Sequence, residues 1–455
     1  MPTLFAETAL LPDGWAEHVR IDWDAAGTIL SVKPGLAPGS AERADAILPG
    51  MANLHCHAFQ RAMAGLTERA GPEGDDFWSW REVMYRFLAA LDPDQVEAIA
   101  AQLYVEMLKS GTTAVAEFHY LHNDPAGRPY ADRAELATRI AAAAGAAGIR
   151  LTLLPVLYQS SNFGGAAPTQ GQRRFLMTTD AFNALVQTLV AAHRGSHTIR
   201  VGIAPHSLRA VPPAALAEAK AALDRLDSSA PIHIHAAEQT KEVEDCVAWS
   251  GRRPVEWLLD ELKPDRRWAL IHCTHMTPDE TRRLAASGAV AGLCPTTEAD
   301  LGDGFFPLIG YLAANGRFGI GSDSNVGIAP AEELRWLEYG HRLNRRKRNL
   351  VPAEAGQSIG AKLWRAALAG GAQALAQPIG AIAPGSRADF LALDRNHPAL
   401  AGRANDFLLD ALVFAGGTAA IRHVMVGGRW VVRDGRHPGE ERIAENYRAA
   451  IRRLA

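Results

Sequence analysis

The sequence predicts an α/β fold: a (β/α)8 TIM-like barrel joined to a small β-sandwich domain that is built from both chain termini. Eight apolar, β-branched runs alternate with alanine-rich amphipathic stretches between residues 47 and 376. Short strand-like segments separated by turns precede and follow this region. A strand followed by a helix, repeated eight times, is typical of a closed parallel barrel, and a chain of 455 residues is long enough to hold one.

The first fifty residues read as short strands followed by a stretch rich in proline and glycine at residues 34–40. The predicted strands are Thr3–Ala6, His18–Trp23 and Thr28–Lys33. These strands carry too little apolar surface to form a core alone. We therefore assign residues 1–48 and 378–455 to one small β domain, and residues 49–377 to a barrel inserted into it.

The central region supplies the eight barrel strands and the helices between them. The predicted strands are Met51–His57, Thr112–Tyr120, Arg150–Tyr158, Ile199–Ser207, Pro231–Glu238, Trp268–His275, Ala289–Pro295 and Phe318–Ser324. The predicted helices are Pro93–Ser110, Ala131–Gly148, Ala181–His193, Pro213–Asp227, Pro254–Leu262, Pro278–Ser287 and Pro307–Asn315. An open doubly wound sheet is the alternative architecture. Such a sheet favours a glycine-rich phosphate-binding turn after its first strand, where this chain has His55, Cys56 and His57.

Beyond residue 376 the chain returns to short strands and turns, and it closes with a predicted helix over Glu440–Leu454. The predicted strands are Gly385–Asp394, Ala411–Phe414, Ile421–Val426 and Arg429–Arg433. We expect these strands to complete the small domain.

The composition excludes several classes of protein. With 47 basic and 50 acidic residues the formal net charge is −3, so no overall positive field is available to hold a nucleic acid. No stretch approaches roughly 18 uninterrupted apolar residues, and we expect no membrane span. The four cysteines are too widely spaced for a CxxC site, and we expect no secretory leader, so a reducing cytoplasm is the predicted compartment. The oligomeric state stays open, with a homodimer as one arrangement.

Polar side chains end the apolar runs, and in a parallel barrel these ends meet at one mouth. His55 and His57 end the first run, where the strand period of two places both imidazoles on the same side. His235 ends the fifth run and Asp323 ends the eighth. A single histidine at such a position is usually a hydrogen-bonded core residue. Three imidazoles and a carboxylate at one mouth instead predict a site for one divalent metal ion.

These groups also predict a hydrolytic mechanism. A divalent ion lowers the pKa of a bound water towards ~7, which makes a hydroxide nucleophile available at neutral pH. We expect Asp323 to accept the water proton and Glu238 to pass a proton to the leaving nitrogen. His272, at the end of the sixth run, is expected to hydrogen-bond either the attacking hydroxide or the tetrahedral centre. The alternative for Glu238 is a helix-start carboxylate that is satisfied by backbone amides. His119, His233 and His275 receive no role.

Six segments distributed along nearly the whole chain resemble the amidohydrolase superfamily. They are PGMANLHCHAFQRAM (Pro49–Met63), SGTTAVAEF (Ser110–Phe118), HAAE (His235–Glu238), IHCTH (Ile271–His275), GSDS (Gly321–Ser324) and GSRADFLALD (Gly385–Asp394). The chain is most similar to the deaminase and chlorohydrolase branch, which implies one zinc or iron ion held by His55, His57, His235 and Asp323. The fourth run ends in Pro205, His206 and Ser207 rather than in a bridging lysine, which argues against a binuclear site.

The side chains predicted near the mouth of the barrel narrow the choice of substrate. Arg81 lies in the tryptophan-rich loop FWSWRE and Arg209 follows the fourth run, and two arginines beside a metal suit a dicarboxylate. The alternative for each is an ion pair with Glu82 or Glu68. The stretches NLHCHAFQRAMAGLTE, FWSWRE and APHSLRAV are similar to the iminohydrolases that act on N-formimino-L-glutamate. This resemblance implies substrate binding by Gln60, Arg81, Tyr120, His206 and Arg209, and catalysis by Glu238, His272 and Asp323.

Two other functions stay open at this point. One is an aminohydrolase of a nucleobase or a related heterocycle with the same metal chemistry. The other is a non-catalytic, metal-holding barrel. The paired arginines favour the dicarboxylate over the heterocycle, and the acid–base groups beside the predicted metal favour an enzyme over a scaffold.

Overall fold

The structure is a computed structural model that describes residues 1–70 and 75–454. Its strands are β1 Thr3–Leu11, β2 Gly14–Trp23, β3 Ile29–Lys33, β4 Glu42–Pro49, β5 Met51–Cys56, β6 Thr112–His119, β7 Arg150–Leu157, β8 Ile199–Val201, β9 Ala204–Pro205, β10 Ile232–Ala236, β11 Trp268–His272, β12 Val290–Leu293, β13 Arg317–Ile320, β14 Phe390–Leu393, β15 Ile421–Val426 and β16 Arg429–Val432. Its helices are α1 Phe77–Leu88, α2 Pro93–Lys109, α3 Glu135–Ala147, α4 Thr179–Ala192, α5 Pro213–Leu226, α6 Thr240–Ser250, α7 Pro254–Trp257, α8 Pro278–Ser287, α9 Pro295–Asp300, α10 Leu308–Ala313, α11 Pro330–Arg345, α12 Ile359–Leu375, α13 Asp406–Phe414 and α14 Glu440–Leu454.

Two parallel sheets form the centre of the molecule. One has the strand order β5-β6-β7-β8, with β9 paired to β7, and the other has the order β10-β11-β12-β13. Parallel bridges join the two sheets at both edges: Cys56 pairs with Asp323, and Ser207 pairs with His235. Every residue of β5, β6, β7, β10, β11 and β12 is buried, which explains why these strands read as continuous apolar runs.

Strands from the two ends of the chain form a third, mixed sheet of seven strands with the order β16-β15-β14-β4-β1-β2-β3. Every described terminal strand finds its hydrogen-bonding partner within this sheet, so the predicted strand-rich sheet domain is confirmed, while its packing as a sandwich stays a prediction. The pair β1 and β4 is parallel and the other pairs are antiparallel. Strand β4 leads through Gly50 directly into β5, so the terminal sheet continues into the first strand of the central region.

Two segments have a different secondary structure from the predicted one. The strand predicted at Ala411–Phe414 is wrong, because these residues end helix α13. Its sequence, DFLLDALVF, is apolar around most of its circumference, and a short apolar run of this kind does not distinguish a buried helix from a strand. The segment FWSWRE, predicted as a loop, opens helix α1, which begins after a capping box between Asp76 and Ser79.

Within the described ranges, no helix is both long and apolar enough to cross a bilayer.

Candidate active site

A cleft with an empty volume of about 540 Å³ lies at the carboxyl ends of the parallel strands. Its lining brings together nearly all of the site residues that the sequence predicts: His57, Gln60, Arg81, Tyr120, His206, Arg209, His235, Glu238, His272 and Asp323. His55 is fully buried directly behind this lining.

Three imidazoles and one carboxylate converge at the base of the cleft. The Nε2 atoms of His55 and His235 are 3.1 Å apart, and Asp323 Oδ1 lies 3.3 Å from His57 Nε2 and 3.5 Å from His55 Nε2. His57 Nδ1 lies 2.9 Å from the carbonyl oxygen of Phe118, and His235 Nδ1 lies 3.0 Å from that of His206. A carbonyl accepts only from a protonated nitrogen, so the Nε2 lone pairs of His57 and His235 point inward.

The electrostatics of this cluster fit a cation. Burial lowers the pKa of His55 to about 3, so its ring is neutral at physiological pH. Burial acts to raise the pKa of Asp323, but the hydrogen bond and charge of His55, with the charges of His57 and His272, hold that pKa well below its usual range. Neutral imidazoles whose lone pairs face each other beside a carboxylate repel one another unless a positive charge lies between them. The donor set, three nitrogens and one oxygen, is one that divalent transition metals accept.

The backbone around the ligands is strained and tied by one side chain. Asp323 has a φ of +43°, which a residue with a Cβ rarely adopts. The carbonyl of Asp323 accepts from the His57 backbone N–H at 3.1 Å and from Asn325 Nδ2 at 3.0 Å. Asn325 Nδ2 also donates to the His57 carbonyl at 2.9 Å. Asn325 therefore joins the ends of β5 and β13 and holds two of the candidate ligands in register.

Acidic and basic groups lie beside the ligand cluster. His272 Nε2 is 3.7 Å from Glu238 Oε1 and 3.7 Å from Asp323 Oδ2, and its Nδ1 is 3.3 Å from Glu298 Oε1. Burial acts to lower the pKa of His272, but the surrounding carboxylates, Glu238 first, raise it to about 10. Burial raises the pKa of Glu238 to about 7, where a carboxyl group can both accept and return a proton near neutral pH.

Glu242, rather than Glu238, takes the role of a helix-start carboxylate. It accepts the backbone N–H groups of Ala237 at 3.2 Å and of Glu238 at 3.0 Å. The side chain of Glu238 is thereby left to face the cleft.

The two arginines lie at the other side of the cleft and share one aromatic ring. The guanidinium of Arg81 is 4.5 Å from the centroid of the Trp78 ring, and that of Arg209 is 5.4 Å from it. The ion pairs with Glu82 or Glu68 that were the alternative are not formed, and no described carboxylate pairs with either arginine. The Nε atom of each is buried without a hydrogen-bond partner among the described residues. Gln60 Nε2 donates to the Tyr120 hydroxyl at 2.8 Å. These two polar side chains line the cleft together with the ligand cluster and the arginines.

Several residues of the site are not predicted from the sequence. Trp78, Glu298 and Asp303 belong to segments that follow the strands at a distance, and no spacing in the sequence marks them. The three histidines without a role are also located: His233 Nε2 donates to the Ala374 carbonyl at 2.8 Å below the ligands, and His119 packs against His122. The His275 ring faces the backbone of Asp303 and Glu238.

Parallel sheets with a histidine- and carboxylate-lined cleft at their carboxyl ends define an α/β enzyme suited to metal-assisted hydrolysis. The chain belongs to the amidohydrolase family, whose sequence model matches residues 46–431. Residues 1–46 match a second model, described as the N-terminal domain of formimidoylglutamate deiminase HutF.

Known proteins similar to this chain agree with that family. A formimidoylglutamate deiminase of Pseudomonas aeruginosa is 56% identical over 98% of both chains. A 5-methylthioadenosine/S-adenosylhomocysteine deaminase of Natronomonas pharaonis is 29% identical over 85% of this chain and 81% of its own. The crystal structure of an amidohydrolase from Brucella melitensis superimposes with a TM-score of 0.94, 49% identity and complete coverage of both chains. An adenosine deaminase from Xanthomonas campestris, with bound zinc, shares the fold at a TM-score of 0.82 and 22% identity, covering 99% of this chain and 98% of its own.

Proposed function

We propose that this protein is a metal-dependent deiminase that hydrolyses N-formimino-L-glutamate to N-formyl-L-glutamate and ammonia. One observation carries the proposal: the cleft has acid–base groups beside a ligand cluster at one end, and two guanidinium groups without carboxylate partners at the other. A linear amidine with two carboxylates is complementary to both ends. The 56% identity with the deiminase of Pseudomonas aeruginosa supports the same substrate.

His55, His57, His235 and Asp323 are the residues that would hold the metal. We propose one divalent ion, zinc with iron as the alternative, because no lysine stands at the end of β9 to bridge a second one. When bound, such an ion polarises the substrate and lowers the pKa of water towards ~7, so that a nucleophile is available at neutral pH.

The remaining chemistry belongs to the chain itself. Asp323 accepts a proton from the attacking water, and Glu238 delivers a proton to the nitrogen that leaves as ammonia rather than as an amide anion. His272 Nε2, which has no hydrogen-bond partner among the described residues, donates to the oxygen of the tetrahedral centre. Water adds to the C=N carbon, and the cleavage of that C–N bond leaves N-formyl-L-glutamate.

Substrate recognition is assigned to the residues at the far end and along the wall of the cleft. Arg81 and Arg209 each pair with one carboxylate, while Gln60, Tyr120 and His206 orient the chain between them. His206 is neutral, because burial and the charge of Arg209 hold its pKa well below the usual value. A neutral ring donates a single hydrogen bond and adds no third positive charge.

We also infer that the two parallel sheets close into one eight-stranded barrel over residues 49–377. The bridges at both sheet edges support this closure. The small domain then comprises residues 1–48 and 378–455, whose strands share one sheet; residues 71–74 and residue 455 lie outside the described part of the chain.

The test is ammonia release by the purified protein from N-formimino-L-glutamate, compared with guanine, cytosine and adenosine. We expect kcat/KM to be highest for the amidine by orders of magnitude. A preference for one of the heterocycles would replace the substrate assignment with a nucleobase aminohydrolase. No turnover of any of them by protein loaded with zinc or iron would favour a metal-holding barrel.

A further inference from the structure

Asp303 is a buried carboxyl group beside the catalytic end of the cleft, and the mechanism above gives it no role. Its exposed fraction is 4%, and it follows helix α9 in the segment of residues 301–306. The side-chain amide of Gln239 donates a hydrogen bond to Oδ1. The other oxygen, Oδ2, is buried and has no hydrogen-bond partner among the described residues. A buried carboxylate oxygen without a partner is costly, so this atom requires an explanation.

The neighbours of Asp303 are mainly acidic. Glu238 and Gln239 face it from the turn between β10 and α6, His272 faces it from the end of β11, and Glu298 faces it from α9. One ligand atom from each of Glu238, His272 and Asp303 lies within 4.8 Å of the others. His275 adds no charge, because burial lowers the pKa of its ring. One imidazolium thus faces three carboxyl groups, and buried carboxyl groups this close do not all ionise.

The surroundings decide which of these groups keeps a proton. The charges of His272 and Arg209 favour the ionised form of Glu238, although burial and the charges of Asp323 and Glu242 act against it. The charge of His272 acts on Asp303 as well, but Arg209 is not among the groups that lower its pKa. Burial, and after it the adjacent Glu238, raise the pKa of Asp303 to about 9. A proton on Oδ2 also fits the hydrogen bonds, because Oδ1 then serves as the carbonyl oxygen that accepts from Gln239.

We propose that Asp303 is a positioning residue that keeps a proton on Oδ2 at neutral pH and donates it to the Glu238 carboxylate once their oxygens, which lie within 4.8 Å of each other in this structure, approach to hydrogen-bond distance. This inference rests on the proposed role of Glu238 in proton transfer. The bond holds one oxygen of Glu238 and leaves the other to serve the substrate nitrogen. It also keeps a second negative charge away from Glu238 while Glu238 is ionised.

Two substitutions separate this role from a purely structural one. Asp303→Asn retains a donor at the same position, so kcat should stay within about threefold of wild type. Asp303→Ala removes the donor, and kcat should fall about tenfold or more, the weight of a hydrogen bond to a charged group. KM and the bound metal content should be nearly unchanged in both variants. Equal loss of kcat in both would overturn the proposal.

The pH dependence gives a second readout. Below its raised pKa Asp303 carries the proton, and above that pKa the donor is lost and two anions face each other, so wild-type kcat should fall on the alkaline side. The amide of Asp303→Asn cannot lose its proton in this range, so that decline should move to higher pH or disappear. An alkaline limb that is identical in wild type and Asp303→Asn would contradict the assignment.

A spectroscopic comparison tests the proton without any substrate. At neutral pH the infrared carbonyl band of a protonated carboxylic acid should be weaker in Asp303→Asn than in wild type. Glu244→Gln, which removes a carboxyl group at an exposed position of α6, is the matched control and should leave this band unchanged. An unchanged band in Asp303→Asn would show that Asp303 is ionised. If wild type fails to release ammonia from N-formimino-L-glutamate, the proposed function fails, while the infrared comparison still decides the state of Asp303.

Discussion

Among single residues, Glu238 is expected to have the largest effect on turnover without affecting the metal. Glu238→Gln keeps the size of the side chain but cannot carry a proton between water and nitrogen, so kcat should fall by ~10² or more. Stopped assays of ammonia release, with metal analysis of the same sample, measure both quantities. Glu244→Gln, an exposed position on α6, serves as the control. A loss confined to KM would make Glu238 a binding residue instead.

The two arginines are expected to control substrate choice. Truncating either one leaves a substrate carboxylate unpaired in a partly buried cleft. The transition state should lose about 2–5 kcal/mol of stabilisation, so kcat/KM should fall ~30-fold or more. Arg81→Lys and Arg209→Lys should restore little, because lysine has the charge but not the planar fork. Arg86→Ala, on the exposed face of α1, should behave as wild type.

The formimino derivative of glycine assigns each arginine to its carboxylate. This compound lacks the side-chain carboxylate, so wild type should discriminate strongly against it. Only the variant that has lost the arginine serving that carboxylate should discriminate much less. Full activity of both variants on N-formimino-L-glutamate would remove the arginines from recognition.

The ligand cluster predicts one tightly bound divalent ion per chain. Asp323→Asn should retain part of this metal, since an amide oxygen can coordinate, but it should lose most turnover because the amide cannot accept a proton. Elemental analysis and ammonia release measure the two effects on one preparation. Two equivalents of metal in the wild-type protein, or a near-wild-type rate for the variant, would count against the assigned ligands or the assigned base.

The sequence alone predicts those site residues that end an apolar run. His55 and His57 are two residues apart on one strand, and the strand period by itself fixes the common direction of their side chains. Glu298 and Asp303 do not share this regularity. They reach the cleft because the segment after β12 folds back over it, and only the tertiary structure determines that path. The position of Trp78 in the site is not predicted for the same reason, since its contact with Arg209 joins segments that are distant in the chain.

Among the secondary-structure elements, helix α1 is proposed to provide the recognition of one carboxylate through Arg81, although none of its residues is a candidate metal ligand. Its N-terminus depends on Asp76, whose side chain accepts from the backbone N–H groups of Trp78 and Ser79 at 2.9 and 3.0 Å. Asp76→Ala should cost about 1 kcal/mol of helix stability and loosen the start of the helix, which carries Trp78 and, one turn further on, Arg81. We expect a several-fold rise in KM with unchanged metal content.

The matching helix cap at Asp92 provides the control for this prediction. Asp92 caps α2 through a similar box with Gln95 and does not line the cleft. Asp92→Ala should lower stability by a comparable amount and leave KM unchanged. If both variants raise KM equally, the effect reflects general destabilisation and α1 has no special part in binding.

Secondary structure is predicted correctly where the spacing of the apolar residues and the residues that mark the start or end of an element agree. The prediction fails where one of these two signals is missing. Helix α8 is predicted with its observed bounds because Thr277, Pro278 and Glu280 form a clear start signal. Helix α13 lacks a polar face, and part of it therefore resembles a strand. Helix α1 is not predicted because the three aromatic residues in its first turn give no amphipathic pattern and stand next to a glycine-rich stretch.

In the molecule as a whole, the sequence pattern predicts the α/β class and the strand-rich terminal sheet. It does not predict how the terminal sheet contacts the central parallel sheets. That contact includes Arg150 at the start of β7 and Asp389 just before β14, residues 239 positions apart. The guanidinium Nε lies 2.7 Å from Asp389 Oδ2, and both side chains have an exposed fraction of 1%. No sequence pattern marks such a pair, since each residue alone resembles a surface charge at the end of a strand.

This buried ion pair should be a major determinant of stability between the two sheets. Asp389 also accepts the backbone N–H of Gly427 at 2.6 Å through Oδ1, so Asp389→Ala removes the carboxylate partner of a buried guanidinium and the acceptor of a partly buried amide. We expect a loss of about 3–5 kcal/mol in the free energy of unfolding, because the remaining charge is uncompensated. Arg433→Ala removes a pair with Glu42 whose side chains are 56% and 46% exposed, and it should cost less than about 1 kcal/mol. Denaturant unfolding of the metal-loaded proteins compares the two variants, and a similar small cost for both would show that the interface is held by apolar packing rather than by Arg150 and Asp389.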